Sequence, residues 1–129
     1  NVNLEFGSCW NQTVEYCVDD LASEVGFFID GLGLKTNAFS PEYVMFTNEN
    51  KDFYFSIYPS TDEAKAAAPG SVKVGFLLDD IKATAQKLES FGIQFEKQPE
   101  PYGGPDSPMF TAEIKTPNGI TVALWGMYE

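Results

Sequence analysis

Histidine is absent from all 129 residues. That removes imidazole acid–base catalysis, the Ser-His and Cys-His nucleophile pairs, and the commonest nitrogen ligand for zinc, iron or nickel. Cysteine is scarce: Cys9 and Cys17 have no second pair and no CxxC spacing, so neither a disulfide framework nor a zinc site is expected. Both are read as reduced thiols of a cytoplasmic protein. No apolar run approaches the ~20 residues of a membrane-spanning helix, and the opening NVNLEFGSCW has neither the basic nor the apolar part of a secretion signal. Positive charge is short as well. Eight basic residues face 19 acidic ones, a formal charge of −11, which repels nucleic acid and anionic membranes and leaves cationic partners open. An acidic balance is, first of all, a solubility device.

What the chain does have is apolar and aromatic. Hydrophobic residues make up 43% and aromatics 15%, enough for a packed core and too much for a disordered chain. The length suits one domain that buries roughly two-thirds of its unfolded surface.

Two stretches echo each other. VDDLASEVGFFIDGLGL spans 18–34 and LDDIKATAQKLESFGI spans 78–93. Each places an apolar residue and two acids before a helical pattern that ends in glycine. In the first, Leu21, Val25, Phe28, Ile29 and Leu32 share a helix face, with Asp19 or Asp20 as N-cap and Gly33 as the left-handed stop. In the second, Ile81, Ala85, Leu88 and Phe91 share a face, Asp79 or Asp80 caps it and Gly92 ends it.

Alternating text surrounds both helices and reads as strands. The first module has strands at 12–18, 34–39, 42–47 and 53–58; the second has them at 71–78, 93–97, 109–115 and 120–125. The turn TPNG at 116–119 joins the last two as a hairpin. Residues 59–70 form a linker with at most one helical turn in EAKAAA, and QPEPYGGPDSP at 98–108 reads as a mobile or ligand-facing loop. The expected fold is therefore α+β within a single domain: two tandem βαβββ modules, 12–58 and 71–126, whose curved mixed sheets surround an open trough.

With VDDL, LDDI, the two helix endings and the hairpin IKTPNGITVALW in this order, the sequence resembles the vicinal oxygen chelate family from Gln12 onward. That family includes glyoxalase I, extradiol dioxygenases, fosfomycin resistance enzymes and bleomycin resistance proteins. The resemblance implies that catalytic relatives hold a divalent metal at four positions, which fall here on Thr13, Tyr54, Lys73 and Ala123. None of the four suits a metal. An ammonium repels a cation, alanine offers no donor, and threonine and tyrosine are poor ligands. Neither metal nor other cofactor is expected, and the resemblance is nearest in character to the metal-free binders of the bleomycin resistance kind.

Strand alternation assigns the trough face. It predicts Thr13, Glu15 and Cys17; Asp52, Tyr54, Ser56 and Tyr58; Lys73, Gly75 and Leu77; and Thr121, Ala123 and Trp125. The expected ligand-binding set is Thr13, Glu15, Asp52, Tyr54, Tyr58, Lys73, Glu113, Ala123 and Trp125, with no catalytic residue. Tyr54, Tyr58 and Trp125 would offer flat surfaces to a cationic or amphipathic ligand, and Glu15, helped by Asp52 or Glu113, would supply the countercharge. Equally open readings are a Glu15–Lys73 salt bridge and a Trp125 that only closes the sheet edge.

Three functions follow. The leading one is a non-enzymatic small-molecule binder, forming a homodimer and acting by drug sequestration. The second is a metal-dependent lyase, isomerase or dioxygenase working through Glu15 and water. The third is a ligand-sensing or regulatory interaction domain.

Overall fold

A computed structural model of the chain describes residues 1–127. The first module runs β1 (Glu15–Val18), α1 (Leu21–Gly26), β2 (Lys35–Ser40), β3 (Tyr43–Thr47) and β4 (Phe55–Pro59). The second runs β5 (Lys73–Leu78), α2 (Ile81–Ser90), β6 (Phe95–Pro101), β7 (Met109–Lys115) and β8 (Thr121–Met127). Each forms a four-stranded mixed sheet, ordered β1-β4-β3-β2 and β5-β8-β7-β6. Only β1–β4 and β5–β8 are parallel. The α+β class and the two tandem modules are as expected.

The paired acids divide their work. Asp20 caps α1 through the Ser23 amide at 3.1 Å and Asp80 caps α2 through the Ala83 amide at 2.9 Å. Asp19 instead accepts a 2.6 Å hydrogen bond from the Ser60 hydroxyl. Gly33 and Gly92 end the helical segments at φ 71° and 85°, values that carry a steric cost for any residue with a Cβ.

Several boundaries differ from the alternation pattern. Residues 12–14 precede β1, and Asp52, Phe53 and Tyr54 lie in the connection before β4, because the turn at 48–52 consumes the pairing there. Between α1 and Gly33 the chain widens into a π-helical turn over Phe27–Gly31. EAKAAA forms no helical turn; the linker folds along β1, with the Ser60 amide on the Val18 carbonyl at 2.8 Å and that of Ala67 on Cys17 at 2.8 Å. Phe91 is 77% exposed, since it caps α2 rather than extending its apolar face. The first four residues of the supposed 98–108 loop belong to β6, which continues to Pro101. The register slips between Thr36 and Ala38 on β2 and twice along β6.

The core lies between the helices and one face of each sheet. Phe28 is fully buried, its ring 5.3 Å from Phe46 and 5.2 Å from Phe55. Phe76 of β5 lies 5.5 Å from Phe53 and joins the modules. A polar link between the modules centres on a buried carboxylate. The Glu24 carboxylate of α1 accepts the Tyr16 hydroxyl at 2.9 Å, the Asn118 amide at 3.2 Å and the Asn118 side-chain nitrogen at 2.9 Å. Asn118 belongs to the hairpin turn of the other module, and its side chain also bonds both backbone polar groups of Asp20. Burial first, then the Glu24 charge and hydrogen bond, push the Tyr16 phenol far above its ordinary range.

Candidate ligand-binding site

The expected site residues fall into three groups, two on the sheet faces turned away from the helices and one in the segments that lead into β1 and β4. The first lies on sheet one. Alternation puts Glu15 and Cys17 on the open face of β1, and the register sets them beside Ser56 and Tyr58 of β4. The Tyr58 phenol lies against the Glu15 carboxylate; that hydrogen bond, then desolvation and the neighbouring charge, push it up to about 12. Tyr43 of β3 adds a second ring, 5.1 Å from Tyr58 and tilted 42°. The cleft here measures about 740 Å³ and includes Glu15, Cys17, Glu42, Tyr43 and Tyr58.

The second group gathers at the entrance to β1 and β4. Thr13, Asp52 and Tyr54 line a cleft of about 490 Å³ with Trp10. Asp52 is held by Asn48 in a tight polar turn, with 2.9 Å between side chains and 2.8 Å to its amide. Asp52 and Tyr54 also reach a cleft of about 400 Å³ where the modules meet, with Lys73, Gly75 and Leu77 on the other wall.

The third group lies on sheet two. Lys73 of β5 and Glu113 of β7 form a 3.1 Å ion pair. Because β8 runs between those strands, the pair spans the sheet over Thr121 and Ala123. Ala123 is buried and serves as floor. The anticipated Glu15–Lys73 bridge is not formed: Lys73 takes Glu113 and Glu15 takes Tyr58. Trp125 is half-buried, its indole packed over Gly75, where an added Cβ would meet Nε1 at 3.7 Å. Its ring makes an edge-on contact with Tyr102, centroids 4.8 Å apart. Leu77, beside Trp125 in register, is 76% exposed.

Sequence reasoning missed Tyr43 and Tyr102. Tyr43 pairs with Ser40 on β2, so alternation along its own strand could have found it. Tyr102 sits in a Pro/Gly-rich stretch with no periodicity, and only the bond from its amide to the Met109 carbonyl at 2.8 Å fixes it.

The sequence matches the Glyoxalase/Bleomycin resistance protein/Dioxygenase superfamily over residues 11–124. The chain belongs to that superfamily. No curated protein sequence matches it significantly. Among solved structures, it is similar to TnmS3, an antibiotic binding protein from Streptomyces sp. CB03234, with a TM-score of 0.76, 16% identity, and 97% of this chain and 99% of that one covered. A glyoxalase/bleomycin resistance protein/dioxygenase from Nocardioides gives a TM-score of 0.72 at 17% identity, covering 99% and 88%. A lactoylglutathione lyase from Agrobacterium tumefaciens gives 0.69 at 17% identity, covering 88% and 90%. At such identities the likeness speaks for the fold alone.

The metal of catalytic relatives does not fit the residues present. Thr13, Tyr54, Lys73 and Ala123 offer two weak donors, one cation and one buried methyl group. Among the described residues no three of His, Cys, Asp and Glu come close enough to hold an ion.

Proposed function

We propose that this chain is a non-enzymatic small-molecule binder that takes a flat, amphipathic, cationic ligand on its open sheet faces and acts by sequestration, as a drug-resistance protein would. One observation carries the reading: at a position where a metal would be needed stands the Lys73–Glu113 pair, and next to it an apolar wall made by the half-buried Trp125 with the exposed Tyr102 and Leu77. The ion pair neutralises the lysine. Ring surface is left for a planar ligand, and a cation over it gains ~0.5–2 kcal/mol depending on desolvation. The −11 charge of the chain draws cations toward it. We assign the protein to the cytoplasm and to a homodimer whose second copy shields exposed side chains such as Phe39; light scattering at twice the chain mass tests the dimer.

Tryptophan emission tests the binding. In a Trp10→Phe background, which leaves Trp125 as reporter, cationic aromatic compounds including bleomycin-type antibiotics should quench emission along saturable curves. Glu113→Gln, which frees the Lys73 charge, should weaken binding about tenfold or more. Stoichiometric Ni, Zn, Mn or Fe in the purified protein would sink the reading in favour of a metal-dependent enzyme.

A further inference from the structure

Sheet one ends on β1 and sheet two on β5, and among the described residues no strand bridges these two edges. On the helix side of β5 the seam between the modules is left unfilled. A crevice of about 240 Å³ runs there between Leu32, Leu34 and Phe53 of the first module and Phe76, Leu88 and Leu124 of the second. Among the described residues, none that lines it is charged. Leu88 and Leu124 form a buried floor, whereas Leu32, Leu34, Phe53 and Phe76 pack against the core yet stay half-buried. Apolar side chains left partly wet around a concave space mark a binding pocket, not a finished core.

We infer that this crevice takes the unbranched alkyl chain of a small amphiphile, whose polar end stays in the adjoining cleft of about 400 Å³. The two spaces share Asn48, Phe53, Phe76 and Leu77, which makes them continuous around the edge of β5. Asp52 and Lys73 stand in the outer space and suit a polar group, while the inner one offers only the Asn48 amide and the Thr84 hydroxyl. That amide is already engaged by Asp52, at 2.9 Å between side chains and 2.8 Å to the backbone nitrogen. A charged or hydrogen-bonding group drawn inside would lose water for little in return; an alkyl group would not.

Size narrows the class of occupant. An apolar cavity on the order of 150 Å³ accepts benzene, and pockets for drug-sized molecules begin at about 300 Å³. A crevice of about 240 Å³ lies between them, too small for a whole planar drug or for a helix with its side chains. Phe53 and Phe76, ring centroids 5.5 Å apart, stand in the walls of both spaces, and a passage flanked by two rings in contact suits a slender chain. The walls are also set in advance. The Leu32 and Leu34 amides bond the Phe27 and Phe28 carbonyls at 3.1 and 3.0 Å, so little ordering opposes binding. Of the residues that carry the planar-cation reading, only Lys73 and Leu77 line either space, and the inference does not rest on that reading.

The test uses the full chain and three probes, 1-butanol, 1-hexanol and 1,6-hexanediol. Titrations are followed by the methyl resonances of Leu34, Leu88 and Leu124. The Trp125 indole N–H and the methyls of Val25 and Val44, in a separate groove beside α1, serve as comparisons. 1-Hexanol should shift the three leucines saturably, leave the comparisons still, and bind about tenfold more tightly than 1-butanol. The diol should bind about tenfold more weakly than 1-hexanol, because its second hydroxyl would enter with the chain. Thr84→Phe, which lays a ring in the crevice, should lose 1-hexanol; Thr84→Ser should keep it, and Trp125→Phe should leave it unchanged. Equal affinity for 1-butanol and 1-hexanol or for 1-hexanol and the diol, shifts led by Trp125 or by Val25 and Val44, no saturable shift, or a Thr84→Phe protein that binds like the parent would each overturn the site. Unchanged circular dichroism checks that the variant folds. If it does not, the contrasts among probes in the unaltered protein decide alone. Quenching of Trp125 by planar cations is read separately, so either site can fail without the other.

Discussion

Asn118→Ala should be among the most destabilising single changes outside the apolar core, although it removes few carbon contacts. Its side-chain nitrogen donates to Glu24 at 2.9 Å and to the Asp20 carbonyl at 2.8 Å, and its side-chain oxygen accepts the Asp20 amide at 3.1 Å. A hydrogen bond to a charged group contributes about 1.5–3 kcal/mol and a neutral one about 1, with a further penalty when a buried partner is left unsatisfied. Glu24 is fully buried and would keep only the Tyr16 hydroxyl and the residue 118 amide. With the two Asp20 bonds discounted because they are exposed to water, the loss comes to roughly 3–4 kcal/mol, a large share of the stability of an ordinary domain. At about 4 °C per kcal/mol for a chain of this length, Tm should drop by roughly 12–16 °C. Thermal and urea unfolding by circular dichroism give the value. In a Glu24→Gln background the penalty should shrink, because the partner is no longer charged. A drop under about 4 °C, corresponding to about 1 kcal/mol, would refute the idea that this contact locks the modules together.

Three further outcomes follow from the same geometry. The Tyr16 phenol is raised in the folded chain, so its stabilising effect is complete below the unfolded value of 10.0 and is lost as pH climbs above it. Stability should therefore fall above pH 10 by up to about 1.4 kcal/mol per pH unit from this residue, and Tyr16→Phe should flatten that slope in urea titrations. Glu15→Gln should bring the Tyr58 phenol down from about 12 toward 10.0, read by ring-proton titration; an unmoved value would mean that Glu15 is not its cause. At Gly126 an added Cβ would lie 2.9 Å from the Leu78 carbonyl and 3.1 Å from Ile81 Cβ, neither of them a flexible tip. Gly126→Ala should cost about 1–3 kcal/mol in thermal unfolding, and a neutral result would show that β8 can shift away from α2.

The repeated module was legible because its cues are local. Asp20 and Asp80 cap where acids before an apolar period should, and Gly33 and Gly92 stop where left-handed residues should. Side-chain alternation also placed Tyr16, Val18, Phe55 and Ile57 in the core and Glu15 and Tyr58 outside it. Partnerships across the sheet were illegible. Lys73 meets Glu113 only because β8 threads between β5 and β7, and no spacing in the chain announces that order. Glu24 looks like an exposed helix position in LASEVG, yet its partner lies 94 residues away. Phe91 followed the helical period but sits one step past the last turn, where the chain has already turned to solvent.

The slips in strand register all fall on the outermost strands, one along β2 and two along β6. β6 also carries Pro99 and Pro101 and the charges Glu96, Lys97 and Glu100. A prolyl residue has no amide to donate, and a kinked edge cannot hold a straight neighbour in step. The β2 and β6 rims are thus poor templates for another chain, which hinders growth into ribbons along them. At these two rims a contact with another copy is left to side chains, where composition can select the partner, and not to backbone edges, where every strand looks alike.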